Sequence, residues 1–280
     1  MQIKRNLINA LILGFTLVSF SASAAWPSYE VPKNGDFVET LGHPSTDSLN
    51  PNHISVLVWN MYKGQNETWK EDYLELSKNK DILLLQEMFL NEKMRSTFSE
   101  QEGIEFQTGT SFIYVKDDAK TGVINASTAK AQEIIPRQSK VREPVINTPK
   151  MAMITTYSLA GRNDKLMVIN IHAINFVTAL ELSVQLFDLA SFIEKHNGPV
   201  VFAGDFNVWS TQKQKLLFYI VKKLGLKTVE FDPASDDRMR VFGRIIDFIF
   251  IRGLEYDNSR VWGEIEGSDH KAMTVDLKTI

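Results

Sequence analysis

From Ile54 to Leu277 the chain alternates between apolar runs of strand length and a few stretches with helical spacing of apolar positions. The runs Ile54–Trp59, Ile82–Gln86, Ser111–Val115, Met151–Leu159, Lys165–Ile171, Val200–Gly204, Ile245–Ile251 and Lys271–Leu277 read as strands. Their near-continuous apolar character fits strands covered on both faces. Thr68-Trp69-Lys70-Glu71 and Thr178-Ala179-Leu180-Glu181 have the form of capping boxes. The first predicts a helix to about Lys78. The second opens a stripe of Leu182, Leu186, Leu189 and Ile193 that ends near His196-Asn197-Gly198. Ser210 starts a third helix, with Leu216, Leu217, Ile220 and Leu224 inward and Gly225 as its stop. Helices spaced too irregularly for strict βαβ alternation predict two sheets packed face to face, with helices outside, in one domain.

The N-terminus adds a compartment to this picture. Lys4 and Arg5 precede an uncharged apolar run, Leu7 to Phe20, and Ser21-Ala22-Ser23-Ala24-Ala25 supplies small residues. These are the three parts of a secretory signal, and the apolar run is short for a membrane span. Residues 1–25 are therefore expected to be a signal peptide, cleaved after Ala24 or Ala25, with an uncleaved anchor as the alternative. The protein is then periplasmic or secreted, has no membrane span after cleavage, and is expected to be a monomer. Residues 26–52, with Pro27, Pro32, Pro44 and Pro51, read as a leader without regular structure ahead of the domain 53–280.

Cysteine is absent, so an exported chain must be held by its core alone, and thiolate metal sites and thiol nucleophiles are excluded. Loss of the signal removes two positive charges and no negative one, taking the formal net charge from −3 to −5. That is not the field of a nonspecific DNA-coating protein, although a bound divalent cation can reverse the local sign.

The candidate chemistry gathers at strand ends. In Pro199–Asn207, P-V-V-F-A-G-D-F-N, a buried strand stops at Gly204 and delivers Asp205 and Asn207, with Phe206 pointing the other way. A carboxylate can accept a proton from water and a carboxamide can donate to an anion. Alone, the pair reads equally well as a turn satisfying its own backbone. Four more strand edges behave alike: Trp59-Asn60, Gln86-Glu87, Asn170-Ile171-His172 and Ser268-Asp269-His270. Each has an ordinary reading as a turn or a hydrogen-bonded core residue, but the joint pattern does not. Asp247 differs, because it lies inside the apolar run 245–251 and is expensive to bury unpaired. His270 is its natural partner.

In this order, W-N, Q-E, N-x-H, G-D-F-N and S-D-H resemble the signature blocks of the endonuclease/exonuclease/phosphatase superfamily, and the likeness spans Ile54 to Leu277. It is nearest to small bacterial members that share N-I-H-A-x-N-F and the F-G-R of Phe242 to Arg244. The resemblance implies an α+β fold, a four-layer αββα sandwich of two packed sheets with helices outside. It implies a divalent cation, magnesium with manganese as the alternative, held mainly by Glu87 with Asn60 and Asp269 nearby. It also implies hydrolysis of a phosphoester: Asp205 activates water, Asn207 steadies phosphoryl oxygens, His172 and His270 donate to the phosphate, and Asp247 keeps His270 cationic.

For substrate, a nucleic acid is expected first and a phospholipid second, with a non-catalytic binding or toxin-like module as the third reading. Against the phospholipid, the sequence presents no obvious exposed aromatic hairpin or second amphipathic segment. Arg137, Lys140, Arg142 and Lys150, and again Arg238, Arg240 and Arg244, could form a phosphate-gripping lip or be solvated charge. Phe112, Tyr114, Phe176 and Trp209 could stack on bases or meet lipid, or belong to the core.

Overall fold

Alternation within the long strands fixes the layers. In Ile54–Asn60 every residue is buried, yet Ile54, Val56 and Val58 join one apolar cluster while Leu57 and Trp59 join another. A strand apolar on both faces must be covered on both. The computed structural model, which describes residues 28–33 and 37–280, supplies the two covers.

The first sheet has eight strands. Across it run Tyr29–Glu30, Glu105–Tyr114, Ala119–Ser127, Ile82–Leu90, Ile54–Asn60, Ala272–Thr279 and Leu254–Trp262, with Val38–Gly42 also paired to Glu105–Tyr114. The second has six, in the order Lys227–Thr228, Asp247–Arg252, Val200–Asp205, Lys165–His172, Met151–Ser158 and Ala131–Gln138. Val56, Val58 and Leu84 of the first meet Val168, Val201, Ala203 and Ile249 of the second in the central layer. Helices α1 (Trp69–Leu76) and α2 (Glu92–Ser99) close the outer face of the first sheet through Trp69, Tyr73, Met94 and Phe98. Helices α3 (Ala179–Lys195) and α4 (Thr211–Lys223) close the second through Leu182, Leu186, Leu217 and Ile220, packed on Ile169, Phe202 and Phe250. The result is the four-layer α+β sandwich the sequence implies.

Several elements differ from expectation. The stretch 26–52, expected without regular structure, contributes the strand Val38–Gly42, registered on Glu105–Gly109. Ala119–Ser127, Ala131–Gln138, Leu254–Trp262 and α2 have no counterpart among the expected elements. Thr68 does not cap with its side chain; its Oγ1 donates to Asp72 Oδ2 at 2.7 Å instead. At α3 the capping box is complete, with Thr178 Oγ1 accepting from Glu181 N and Glu181 Oε2 accepting from Thr178 N at 2.7 Å. Ser210 Oγ accepts from Lys213 N and caps α4. The expected signal peptide lies outside the described residues.

Polar contacts also cross the central layer, Asn125 to Thr155 among them, and one set lies beside the site. Gln86 Nε2 donates to Asn170 Oδ1 at 2.7 Å, and Asn170 Nδ2 donates to the carbonyls of Leu85 and Ile124. Asn170 is wholly buried, so these bonds meet the hydrogen-bonding demand of its amide and pin one sheet to the other close to the chemistry.

Candidate active site

Register places the acidic groups. In Val200–Asp205, Val201 and Ala203 face the central layer, so Asp205 faces it too. Asp205 is level with His172 on one neighbouring strand and with Asp247 on the other. The three side chains form a row across adjacent strands at one mouth of the sandwich. Gly204 makes the close approach possible, because a Cβ there would lie 2.1 Å from the Ile171 carbonyl oxygen, and its φ is +132°.

The opposite sheet presents its own groups to this row. Asn60 ends Ile54–Asn60 on the central-layer face, and its Nδ2 donates to Asp205 Oδ2 at 3.2 Å. Glu87 sits where the pairing of Ile82–Leu90 with Ala119–Ser127 shifts register, at φ +53°, which turns its side chain into the mouth. The loop before Ala272–Thr279 is fastened by Ser268 Oγ, which donates to the Asn60 carbonyl at 2.6 Å, and by Trp59 Nε1, which donates to the His270 carbonyl at 3.0 Å. That fastening brings His270 Nδ1 within 2.8 Å of Asp247 Oδ2.

A cleft of about 270 Å³ opens here, lined by Glu87, His172, Asp205, Asn207, Asp269 and His270 among others. Asn60 and Asp247 lie just beneath, bonded to Asp205 and His270. All eight site residues expected from the sequence are therefore brought together. Asp269 is the exposed member; the other seven are buried or nearly so. Asn207, at φ +50°, donates Nδ2 to the Ala173 carbonyl at 3.0 Å and its backbone N–H to Asp205 Oδ1 at 2.9 Å, leaving one amide hydrogen for a ligand.

The environment sorts these groups by charge. Burial pushes the Glu87 carboxyl up, but His172, Lys63 and Lys150 outweigh it and hold it at about 2. Burial and the neighbouring Lys150 push His172 well below the ordinary histidine value, so its imidazole is neutral at pH 7. The two lysines therefore carry the effect on Glu87 near neutrality. Burial and repulsion from Asp247 raise the Asp205 carboxyl to about 7. For His270, burial works downward but the Asp247 carboxylate outweighs it and lifts the imidazolium to about 10.

Some contributors escaped the sequence reading. Lys63 Nζ lies 3.3 Å from Glu87 Oε2, delivered by a turn in which Tyr62, Lys63 and Gly64 all have positive φ. Glu143 joins the cleft and bonds the Asn175 N–H. Of the expected basic lip, Arg137 is tied to Asp188, Arg238 to Asp236, and Arg244 to Gln214 and Thr211. Lys150 alone of that group lines the cleft. Phe112 is buried, whereas Phe176 is exposed at the rim.

The residues fit a hard divalent cation. Such an ion takes ionised and neutral oxygen donors and few carboxylates. Glu87 is held ionised, Asp269 adds a carboxylate, and Asn60 Oδ1, which accepts from the Tyr62 N–H, keeps a second lone pair. Asp205, Asp247 and His270 also have ligand atoms all within 4.8 Å of one another and could hold a metal. Ligation there requires a neutral imidazole, and Asp247 holds His270 protonated, so the Glu87 side is the better seat.

Sheets, outer helices and the site at their mouth define a DNase I-like phosphoesterase architecture. A family model described as "Endonuclease/Exonuclease/phosphatase family" matches residues 57–270, and the chain belongs to that family. A UPF0294 protein of Photorhabdus laumondii is 35% identical over 233 residues, covering 81% of this chain and 84% of that protein. Among solved structures, an endonuclease/exonuclease/phosphatase from Beutenbergia cavernae superposes with TM-score 0.64 at 15% identity, covering 81% of this chain and 72% of the other. The human Nocturnin catalytic domain with bound sulfate gives TM-score 0.63 at 16% identity, covering 87% and 98%.

Proposed function

We propose that this protein is an exported, Mg²⁺-dependent phosphoester hydrolase. The observation that carries the reading is the row His172, Asp205 and Asp247 facing Asn60 and Glu87 across the mouth of the two sheets. Asp205, with a carboxyl near neutrality, takes the proton of the attacking water. Asn207 holds that carboxylate through its backbone N–H and offers its remaining amide hydrogen to a phosphoryl oxygen. His270, kept cationic by Asp247 on Nδ1, has Nε2–H left to donate as negative charge grows on the phosphate. His172, neutral, adds a second ring donor from the neighbouring strand. A cation held by Glu87, Asn60 and Asp269 would supply Lewis-acid polarisation of the phosphate and neutralise the leaving oxygen.

The sequence favours nucleic acid as substrate. The internal pairing of Arg137, Arg238 and Arg244 removes much of the expected phosphate grip and weakens that preference. The exposed aromatic rim supports a phospholipid as the second reading. The full set of site residues argues against a non-catalytic module. Plasmid DNA and sphingomyelin vesicles, each assayed with Mg²⁺ and with EDTA, separate the substrates. Asp205→Ala should lower kcat by at least ~100-fold with an unchanged unfolding curve. Near-normal turnover by that variant would end this assignment. Export follows from the charged start, apolar run and small residues of 1–25. The purified exported chain should begin at Ala25 or Trp26 on N-terminal sequencing.

A further inference from the structure

The outward face of α3 is apolar where a surface helix is ordinarily polar. Leu180 is 78% exposed, and Val184 and Phe187, one and two turns on, are exposed on the same face. This stripe continues to the rim of the cleft. Phe176 is 68% exposed just ahead of the helix and lines the cleft mouth. Its neighbour Asn175 accepts from Trp209 Nε1 at 2.7 Å, and Trp209 meets Phe242 edge-on at 5.8 Å. Phe242 is 83% exposed at the tip of the hairpin Arg240–Val241 and Arg244–Ile245. Phe176 and Phe242 both have positive φ, +55° and +49°, which sets them apart as side chains thrust outward from bent backbone.

Exposed cations stand beside this band. Arg240 is exposed beside Phe242 and its link to Asp236 is 3.9 Å long. Lys140 and Arg142 are exposed on the loop that Glu143 fastens to Asn175. On α3 itself Asp188 is paired with Arg137, while Glu181 remains an anion held by Thr178 in the capping box. Exposed apolar side chains flanked by Lys140, Arg142 and Arg240 match an anionic lipid surface, which accepts protruding groups without a shaped pocket. A second copy of the chain is a poorer occupant. Phe176 belongs to both the band and the cleft lining, so a copy burying the ~800 Å² per partner of a stable dimer here would cover the cleft.

We propose that Phe176, Leu180, Val184, Phe187 and Phe242 form a docking surface for an anionic bilayer, holding the mouth of the cleft at headgroup level. The proposal deepens the hydrolase reading and rests on it for its purpose, but binding is measurable without turnover. The test uses the chain from Trp26 onward, which contains every element described above, and vesicles of phosphatidylglycerol and phosphatidylcholine. Wild-type protein should sediment with anionic vesicles and be released by salt. The triple variant Leu180→Ser, Val184→Ser, Phe187→Ser, and separately Phe242→Ser, should bind at least ~10-fold more weakly. Both should keep the wild-type unfolding curve and cleave bis(4-nitrophenyl) phosphate at the wild-type rate. If neither protein cleaves that ester while the binding difference persists, the hydrolase reading fails and the surface stands. Wild-type protein left in the supernatant, or variants that sediment equally well, overturn the surface. Loss of binding to single-stranded DNA in the variants, in place of vesicles, or conversion of a dimer to a monomer, also overturns it.

Discussion

At the scale of single residues, Asp247 is the informative case. A carboxylate inside the run Ile245 to Ile251 demands a partner, and the demand by itself points to His270, twenty-three positions along. The Asp247 carboxylate lifts the His270 imidazolium to about 10 against the downward pull of burial. A raised histidine value means the proton is held through neutrality and lost only as pH rises through about 10. In Asp247→Asn the bond can persist while its charge does not. The alkaline limb of the pH–rate profile should move from about 10 towards the ordinary ~6.5, with kcat at pH 7 down ~100-fold. A variant with its alkaline limb still near 10 would show that Asp247 does not set the charge of His270. Lys63 shows what stays hidden at this scale. Its position beside Glu87 depends on three consecutive positive-φ residues, and nothing in M-Y-K-G announces Tyr62 and Lys63 in that conformation.

Among elements, legibility follows burial. Strands of the central layer are apolar on both faces and stand out in the sequence. Ala131–Gln138 and Leu254–Trp262 are sheet edges, half-exposed and polar, and Pro136 is tolerated because an edge strand need not donate on its outer side. Ala119–Ser127 is central but built from Thr121, Gly122, Asn125 and Ser127, which carry no apolar signature. Val38–Gly42 is held largely by its pairing and by Glu39, which bridges Arg95 of α2 and Lys120. Arg95 and Lys120 outweigh partial burial and keep the Glu39 carboxyl at about 2. A depressed carboxyl stabilises fully above the unfolded value near 4.5, and the contribution is lost as pH falls towards about 2. Glu39→Gln should therefore lower stability at pH 7 by at most ~1 kcal/mol, since the groups are partly solvated, and flatten the acid loss between those values. Denaturant midpoints of both proteins at pH 7, 4 and 2.5 measure it; parallel curves would leave Glu39 without a role in holding this strand.

Taken whole, the molecule divides its site between its sheets. Asn60, Glu87 and the Asp269–His270 loop belong to the first sheet, while His172, Asp205, Asn207 and Asp247 belong to the second. Hydrolysis as proposed needs the two sets in register across an apolar layer that fixes distance but offers little resistance to sliding. Polar bridges supply that resistance, Asn125 to Thr155 farther along and Gln86 to Asn170 one residue from Glu87 and two from His172. In Q-E and N-x-H, then, Gln86 and Asn170 make the bridge while Glu87 and His172 face the cleft. Asn170→Ala would leave Gln86 and the Leu85 and Ile124 carbonyls short of a partner in a dry layer. The expected loss is roughly 3 kcal/mol of stability. If the contact also sets register, kcat should fall ~10-fold or more at temperatures where the variant is still fully folded, because small misplacement of reacting groups is expensive. Saturating Mg²⁺, bound only by the folded chain, should add stability to both proteins, up to ~2.7 kcal/mol at a hundredfold excess over Kd. Urea titrations of wild type and variant, with Mg²⁺ and with EDTA, separate these effects. Full activity in a destabilised variant would reduce the bridge to ordinary core packing and leave sheet register to the rest of the layer.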